Sequence, residues 1–203
     1  MSQSFRNIFE SDCPAQRERS KFLSRVFGVF SEKIVGIWAE HEHSQYENLG
    51  RPTIKSDGNG RGYTLDFTLK DRASSKIYVT EMKCEIEYQN FKYFVLDRSS
   101  QLDHHKKPAF DAFLRAAKLM ADQEIHVGGK KIDTNGTILI WGAITPEGRE
   151  QVIEAKGLHD VMSVEEICAD LVAWECVRYA ELVDQRREWC SRLFTGLLEA
   201  RTS

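Results

Sequence analysis

Lys76-Ile-Tyr-Val-Thr-Glu-Met-Lys-Cys84 is the stretch on which the fold turns. Its β-branched and aromatic residues predict a strand buried on both faces. Upstream, Tyr63-Thr-Leu-Asp-Phe-Thr-Leu69 alternates apolar and polar residues, predicting a second strand with one apolar face. The polar connection from Leu69 to Lys76 suits a hairpin between them. Residues i and i+2 of a strand share a face, so Glu81 and Lys83 point the same way. Fourteen residues separate Asp66 from Glu81, enough for the rest of one strand, the turn and most of the next. Two carboxylates and an ammonium are therefore expected to meet near one end of the pair.

Those residue types suit phosphate chemistry. A hard cation such as Mg²⁺ takes oxygen ligands and is held by one or two carboxylates, with water and phosphate oxygens completing its shell. A lysine beside it can contact phosphate and orient an attacking water. The tripeptide itself says little, because Glu154-Ala-Lys156 repeats it in a polar helical stretch. Context sets the first copy apart, since charges inside an Ile-Tyr-Val-Thr strand are costly to bury without a purpose. The competing reading is an edge strand whose Glu81, Lys83, Glu85 and Glu87 face water.

Asp12-Cys-Pro14 can open a helix, and apolar residues from Phe22 to Leu49 keep a helical period that Gly50-Arg-Pro52 ends. Ile54 to Gly60 reads as a short strand and a glycine-rich turn, and Phe91 to Leu96 as another short strand. Ser100 to Asp122 is helical, with Lys107-Pro108 either its true start or a kink. Thr137-Ile-Leu-Ile-Trp-Gly-Ala-Ile144 is a central strand. Thr145-Pro146 then caps a helix that Gly157 stops. Ser163-Val-Glu-Glu166 is a capping box before one long amphipathic run to about Ala200. The pattern predicts a mixed α/β domain with helices on both sides of a central sheet.

A third carboxylate is sought on the first helix. At about 100° per residue from Ile34, Glu42 falls at roughly 80°, inside an apolar arc containing Trp38, Leu49, Val35 and Tyr46. A carboxylate there should be paired, protonated or directed at a metal. Glu42 is the candidate and Glu47 the fallback, unless a loosened helix end leaves Glu42 in solvent.

Asp66, Glu81-Met-Lys83, Glu42 on a preceding helix and a following helix–strand pair together resemble the PD-(D/E)xK nuclease superfamily, whose fold is restriction-endonuclease-like. The resemblance covers an αβββαβ core of about residues 32–144 in one domain spanning 1–203, with extra C-terminal helices over about 145–203. It implies a Mg²⁺-dependent phosphodiesterase acting on DNA, with Mn²⁺ able to substitute, Asp66 and Glu81 as ligands and Lys83 at the attacking water. Leu65 stands where the motif carries proline. Some members have Gln-x-x-x-Tyr on the next helix; Gln101 has that spacing and is the implied DNA contact, but His105 replaces the tyrosine. On the same element Lys106, Lys107, Arg115 and Lys118 could neutralise backbone phosphates without reading sequence, or simply form a solvated face.

Composition agrees with such a protein. The 203 residues are 41% hydrophobic and 10% aromatic, which excludes disorder, and carry a formal net charge of −3. Residues 51–131 hold 15 basic and 11 acidic side chains, against 7 and 13 in 132–203. A basic middle suits an anionic partner. Five cysteines without a Cys-x-x-Cys pair argue against a disulfide framework or thiolate zinc site. No apolar run is long enough to span a bilayer and no secretory pattern opens the chain, so a cytoplasmic protein is expected. One small domain offers one active centre, so a duplex cut calls for a homodimer, expected through the C-terminal helices. Two alternatives stay open: a catalytically weak DNA-binding or assembly subunit on the same fold, and a protein whose acidic C-terminal helices bind a partner.

Overall fold

The computed structural model describes residues 16–56, 62–83, 94–118 and 123–199. The proposed helix start at Asp12–Pro14, the turn at residues 58–61, Glu85, Glu87, Phe91 and the end of the helix at Asp122 lie outside these residues.

A five-stranded sheet organises the chain. Its order is β1 (Tyr46–Asn48), β4 (Phe67–Asp71), β5 (Ile77–Lys83), β9 (Thr137–Trp141) and β11 (Asp160–Ser163). β1, β4 and β5 pair antiparallel, whereas β9 runs parallel to both β5 and β11. Helices cover both faces. On one, α1 (Gln16–Glu40) and α4 (Val164–Ala173) bring Ile34, Val35, Trp38, Ile167 and Leu171 onto Tyr78, Ile138 and Ile140. On the other, α2 (Pro108–Ala117) and α3 (Pro146–Lys156) bring Phe110, Phe113 and Val152 onto Val79, Leu139, Trp141 and Val161. The odd and even residues of β5 and β9 thus feed two separate cores.

A second sheet, ordered β3 (Tyr63–Thr64), β2 (Pro52–Ser56), β7 (Gln123–Val127) and β8 (Lys130–Ile132), joins the α2 side through Ile54 and Ile125. A short parallel pair links β6 (Val95–Leu96) to β10 (Ala143–Ile144). A long helix, α5 (Val177–Glu199), closes the described chain.

Local signals hold where expected. The Thr145 hydroxyl accepts from the Gly148 N–H at 3.0 Å, Pro146 opens α3, and Gly157 ends it at φ +70°. Ser163 and Glu166 form the reciprocal capping box. Pro108 is a true helix start, not a kink.

Four expectations need correction. First, α1 ends at Glu40 instead of running to Leu49, because side chains take over the backbone bonds: His41 Nδ1 accepts from His43 N–H, Ser44 Oγ from Tyr46 N–H, and Asn48 Oδ1 from Gly50 N–H. Tyr46–Asn48 then pairs with β4 as an edge strand. Second, the segment from Tyr63 to Leu69 is divided between two sheets at Leu65-Asp66: Thr64 pairs with Thr53, but Phe67 pairs with Thr80. Third, Ser100 to Lys107 is not α-helical; it holds the end of a 3-10 turn, Ser99–Leu102, and a loop. Fourth, the C-terminal run breaks between Ala173 and Val177, where Glu175 adopts φ +51°, and the strand Asp160–Ser163 precedes it.

Two glycines report on this packing in opposite ways. A Cβ on Gly148 would lie 2.3 Å from Leu96 O and 2.7 Å from Asp97 Cα, whereas one on Gly36 in α1 would meet nothing within 4 Å. Gly148→Ala is expected to destabilise by about 1–3 kcal/mol through overpacking. Gly36→Ala should stabilise by about 0.5–1 kcal/mol through reduced backbone entropy in the unfolded chain. Paired thermal melts of the two variants check both signs.

Candidate active site

Glu81 and Lys83 project from the end of β5 on the same face as Val79, toward α2. Asp66 reaches them because the chain bends there. The pairing of Phe67 with Thr80 leaves Asp66 alongside Glu81, yet Asp66 itself belongs to neither sheet. Its carboxylate replaces the missing strand: Oδ2 accepts from Met82 N–H at 2.8 Å. Lys83 Nζ forms an ion pair with Glu81 Oε1 and stands 5.6 Å from the centroid of the Phe110 ring on α2. The Asp66, Glu81 and Lys83 side chains are 14%, 7% and 15% exposed, so the triad is set into the surface and not displayed on it.

Burial dominates the electrostatics. It pushes the Glu81 carboxyl above its usual range; the Lys83 ammonium pulls it back, and the Asp66 charge and hydrogen bond push it further up. His105 lies near the same lysine. Burial, with His104, Lys83 and Lys107 adding to it, depresses its imidazole to about 3. His105 is thus neutral at physiological pH, packed on Phe110 and Trp141 with centroid distances of 5.2 and 5.8 Å. It contributes an uncharged wall.

The sequence-derived set is only partly assembled. Asp66, Glu81 and Lys83 come together. Glu42 does not: it follows the end of α1 in an exposed turn, the loosened-end outcome, and the periodicity argument fails with the helix. Glu47 is exposed on the edge strand β1. Gln101 is 3% exposed, with Oε1 accepting from the Asp97 and Arg98 N–H groups and Nε2 donating to Val95 O. It braces the 3-10 turn and presents nothing to a nucleic acid. Lys106 and Lys107 are exposed just before α2, at the end carrying Phe110; Lys118 is exposed at its far end, and Arg115 is partly buried between.

Two residues at the site gave no sequence signal. Arg51, in the loop after β1, donates from Nη2 to Asp66 Oδ1 and from Nη1 to Glu32 Oε2, each at 3.4 Å. Arg51 thus bridges Glu32 of α1 to Asp66. Arg51 reads in sequence only as part of a helix-stopping Gly-Arg-Pro, and Glu32 falls outside the apolar stripe.

The donor set fits a hard divalent cation in its minimal form. Two adjacent carboxylates that repel each other in a poorly solvated setting are relieved by a shared cation, and Mg²⁺ needs no more protein ligands than these. Among the described residues no three His, Cys, Asp or Glu side chains gather, so the expected trio reduces to Asp66 and Glu81.

A carboxyl must be ionised to hold a metal, and the folded protein favours protonated Glu81 more than a free glutamate does. If the pair holds a cation, its affinity for Mn²⁺ should therefore begin to weaken, as pH falls, at a pH above 4.5, the usual glutamate value. Titration calorimetry at stepped pH measures the affinity, and a log affinity that stays flat down to that value contradicts the raised carboxyl. Comparison of the chain with protein-family models, curated proteins and solved structures returns no match.

Proposed function

We propose that this protein is a Mg²⁺-dependent nuclease of the PD-(D/E)xK type that hydrolyses DNA phosphodiester bonds. The observation carrying the reading is the meeting of Asp66, Glu81 and Lys83 in one largely buried cluster at the end of β5. Element order lends support: α1, then antiparallel β1, β4 and β5, then α2, then β9 parallel to β5, follows the αβββαβ sequence implied by the motif. The second sheet and the elements after β10 would be additions to that core.

Asp66 and Glu81 would hold the cation, which supplies Lewis-acid polarisation of the phosphoryl oxygens. The protein's own groups do the rest. Met82 N–H fixes the Asp66 carboxylate in orientation. Lys83, stiffened over Phe110, carries its ammonium to the water that attacks phosphorus and compensates charge accumulating there. Neutral His105 packs on Phe110 and Trp141, and this largely apolar surface would strengthen each of these interactions. Lys106 and Lys107 just before α2, and Lys118 just after it, would meet a passing phosphate backbone in a sequence-independent contact.

A homodimer through the C-terminal helices remains the proposed assembly. α5 exposes Trp189, Leu193, Phe194, Leu197 and Leu198 at 46–66%, an apolar row costly to leave in water. No helix among the described residues is long and apolar enough to cross a membrane. A catalytically weak DNA-binding or assembly subunit is the second reading, favoured by a centre that gathers, among the described residues, two carboxylates and no third.

Supercoiled plasmid incubated with Mg²⁺ or Mn²⁺ separates the readings. The nuclease should nick it, and Lys83→Ala should slow nicking by about 10²–10⁴-fold. Salt-sensitive DNA retention without nicking, unchanged in Asp66→Asn, would instead identify the binding subunit. For the assembly, Leu193→Glu should halve the mass seen by sedimentation; a wild-type monomer rules the dimer out.

A further inference from the structure

Arg51 has no part in the scheme above, yet its guanidinium is built into the site. Its stem is fixed: Thr68 N–H donates to Gly50 O at 2.8 Å, Leu65 N–H to Pro52 O at 2.9 Å, and Pro52 restricts the Arg51 backbone to extended conformations. Nε donates to Leu65 O at 3.2 Å, while the two Nη groups reach different carboxylates. A guanidinium binds best when one carboxylate or phosphate takes two parallel N–H bonds at about 2.7–2.9 Å. Here Asp66 and Glu32 each take a single bond of 3.4 Å, so the fork is extended between two partners and satisfied by neither.

The contested atom is Asp66 Oδ1. Oδ2 already accepts a 2.8 Å bond from Met82 N–H, whereas Oδ1 accepts the longer 3.4 Å bond from Arg51, so Oδ1 is the Asp66 oxygen with more lone-pair capacity left for a cation. A divalent ion and the guanidinium compete for it. The Arg51 side chain is 55% exposed, so leaving Asp66 requires no unpacking.

We propose that Arg51 is the anion-contacting residue of this site: a stand-in counter-cation for Asp66 and Glu32 while no divalent ion is bound, and a bidentate ligand of the substrate phosphate once an ion has taken Asp66. The inference rests on the reading of Asp66 and Glu81 as a cation site. Its signature is two effects of opposite sign. Removing the guanidinium frees Oδ1 for the ion but deprives the loaded site of its phosphate fork, whereas a merely structural arginine would weaken both functions together.

The test compares wild type, Arg51→Ala and Arg51→Gln, with thermal melts verifying the fold. Mn²⁺ affinity is read by calorimetry, and affinity for a short fluorescent duplex by anisotropy at fixed salt, with Ca²⁺ replacing Mn²⁺ to slow cleavage. Both variants should bind Mn²⁺ at least about 3-fold more tightly and the duplex about 10-fold more weakly in Ca²⁺, corresponding to loss of a charge-assisted pair. Unchanged or weaker Mn²⁺ binding overturns the proposal, as does duplex affinity that ignores the substitutions. If wild type binds Mn²⁺, Asp66→Ala abolishes that binding and the Arg51 variants leave it unaltered, the cation site stands and only the role of Arg51 falls. If wild type takes up no Mn²⁺, the cation-site reading fails first and this proposal with it.

Discussion

The hydrogen bond from Met82 N–H to Asp66 Oδ2 joins three features of the molecule. At Leu65-Asp66 the chain leaves the small sheet and enters the large one, and at that step it contributes no regular ladder bond to β5. A buried N–H without a partner costs on the order of 1–3 kcal/mol. The Asp66 carboxylate meets that need. In doing so it is turned away from solvent and brought beside Glu81, so one bond completes the sheet and orients an acid at its end. Leu65, 1% exposed, anchors the crossing by sinking into the α2-side core.

What gathers there is unfavourable on its own terms. Burial and then the Asp66 charge raise the cost of ionising Glu81, and the single ammonium of Lys83 offsets only part of it. A hydrophobic substitution would pack such a position with less penalty. Surface ion pairs elsewhere, such as Arg187–Asp184 and Arg192–Glu188 on α5, are solvated and contribute little. The cluster at the end of β5 is thus a place where stability is given up for charge at a fixed location, which is how reactive sites are commonly made.

The surrounding elements keep that location rigid. α2 sets Phe110 under Lys83 and shares its core with Leu139 and Trp141 of β9, a strand buried along its whole length. The small sheet presses Ile54 and Ile125 into the same core. On the opposite face α1 and α4 pack as one layer, tied by Trp38 Nε1 donating to Asp170 Oδ2 at 2.9 Å. The C-terminal half of α5 lies largely outside both cores, and the buried residue of this helix, Leu182, sits in its N-terminal half.

The sequence by itself determined the features whose physics is local. Ser163 with Glu166, Thr145 with Pro146, and Gly157 specify helix ends through bonds spanning a few residues, and the apolar run at Thr137 could only be an interior strand. The i, i+2 spacing put Glu81 and Lys83 on one face wherever β5 lay. The tertiary structure decided what depends on distant partners. Tyr46 fits an apolar arc equally well as helix or strand, and only pairing with β4 selects the strand, which removes Glu42 from the helix. Thr64 and Phe67 share one alternating pattern, yet bond to different sheets. Arg51 and Glu32 enter the site through contacts 15 and 19 residues apart in the chain, a separation for which no periodicity carries information. Hydrophobic pattern reports which face of an element is covered; it does not report by what.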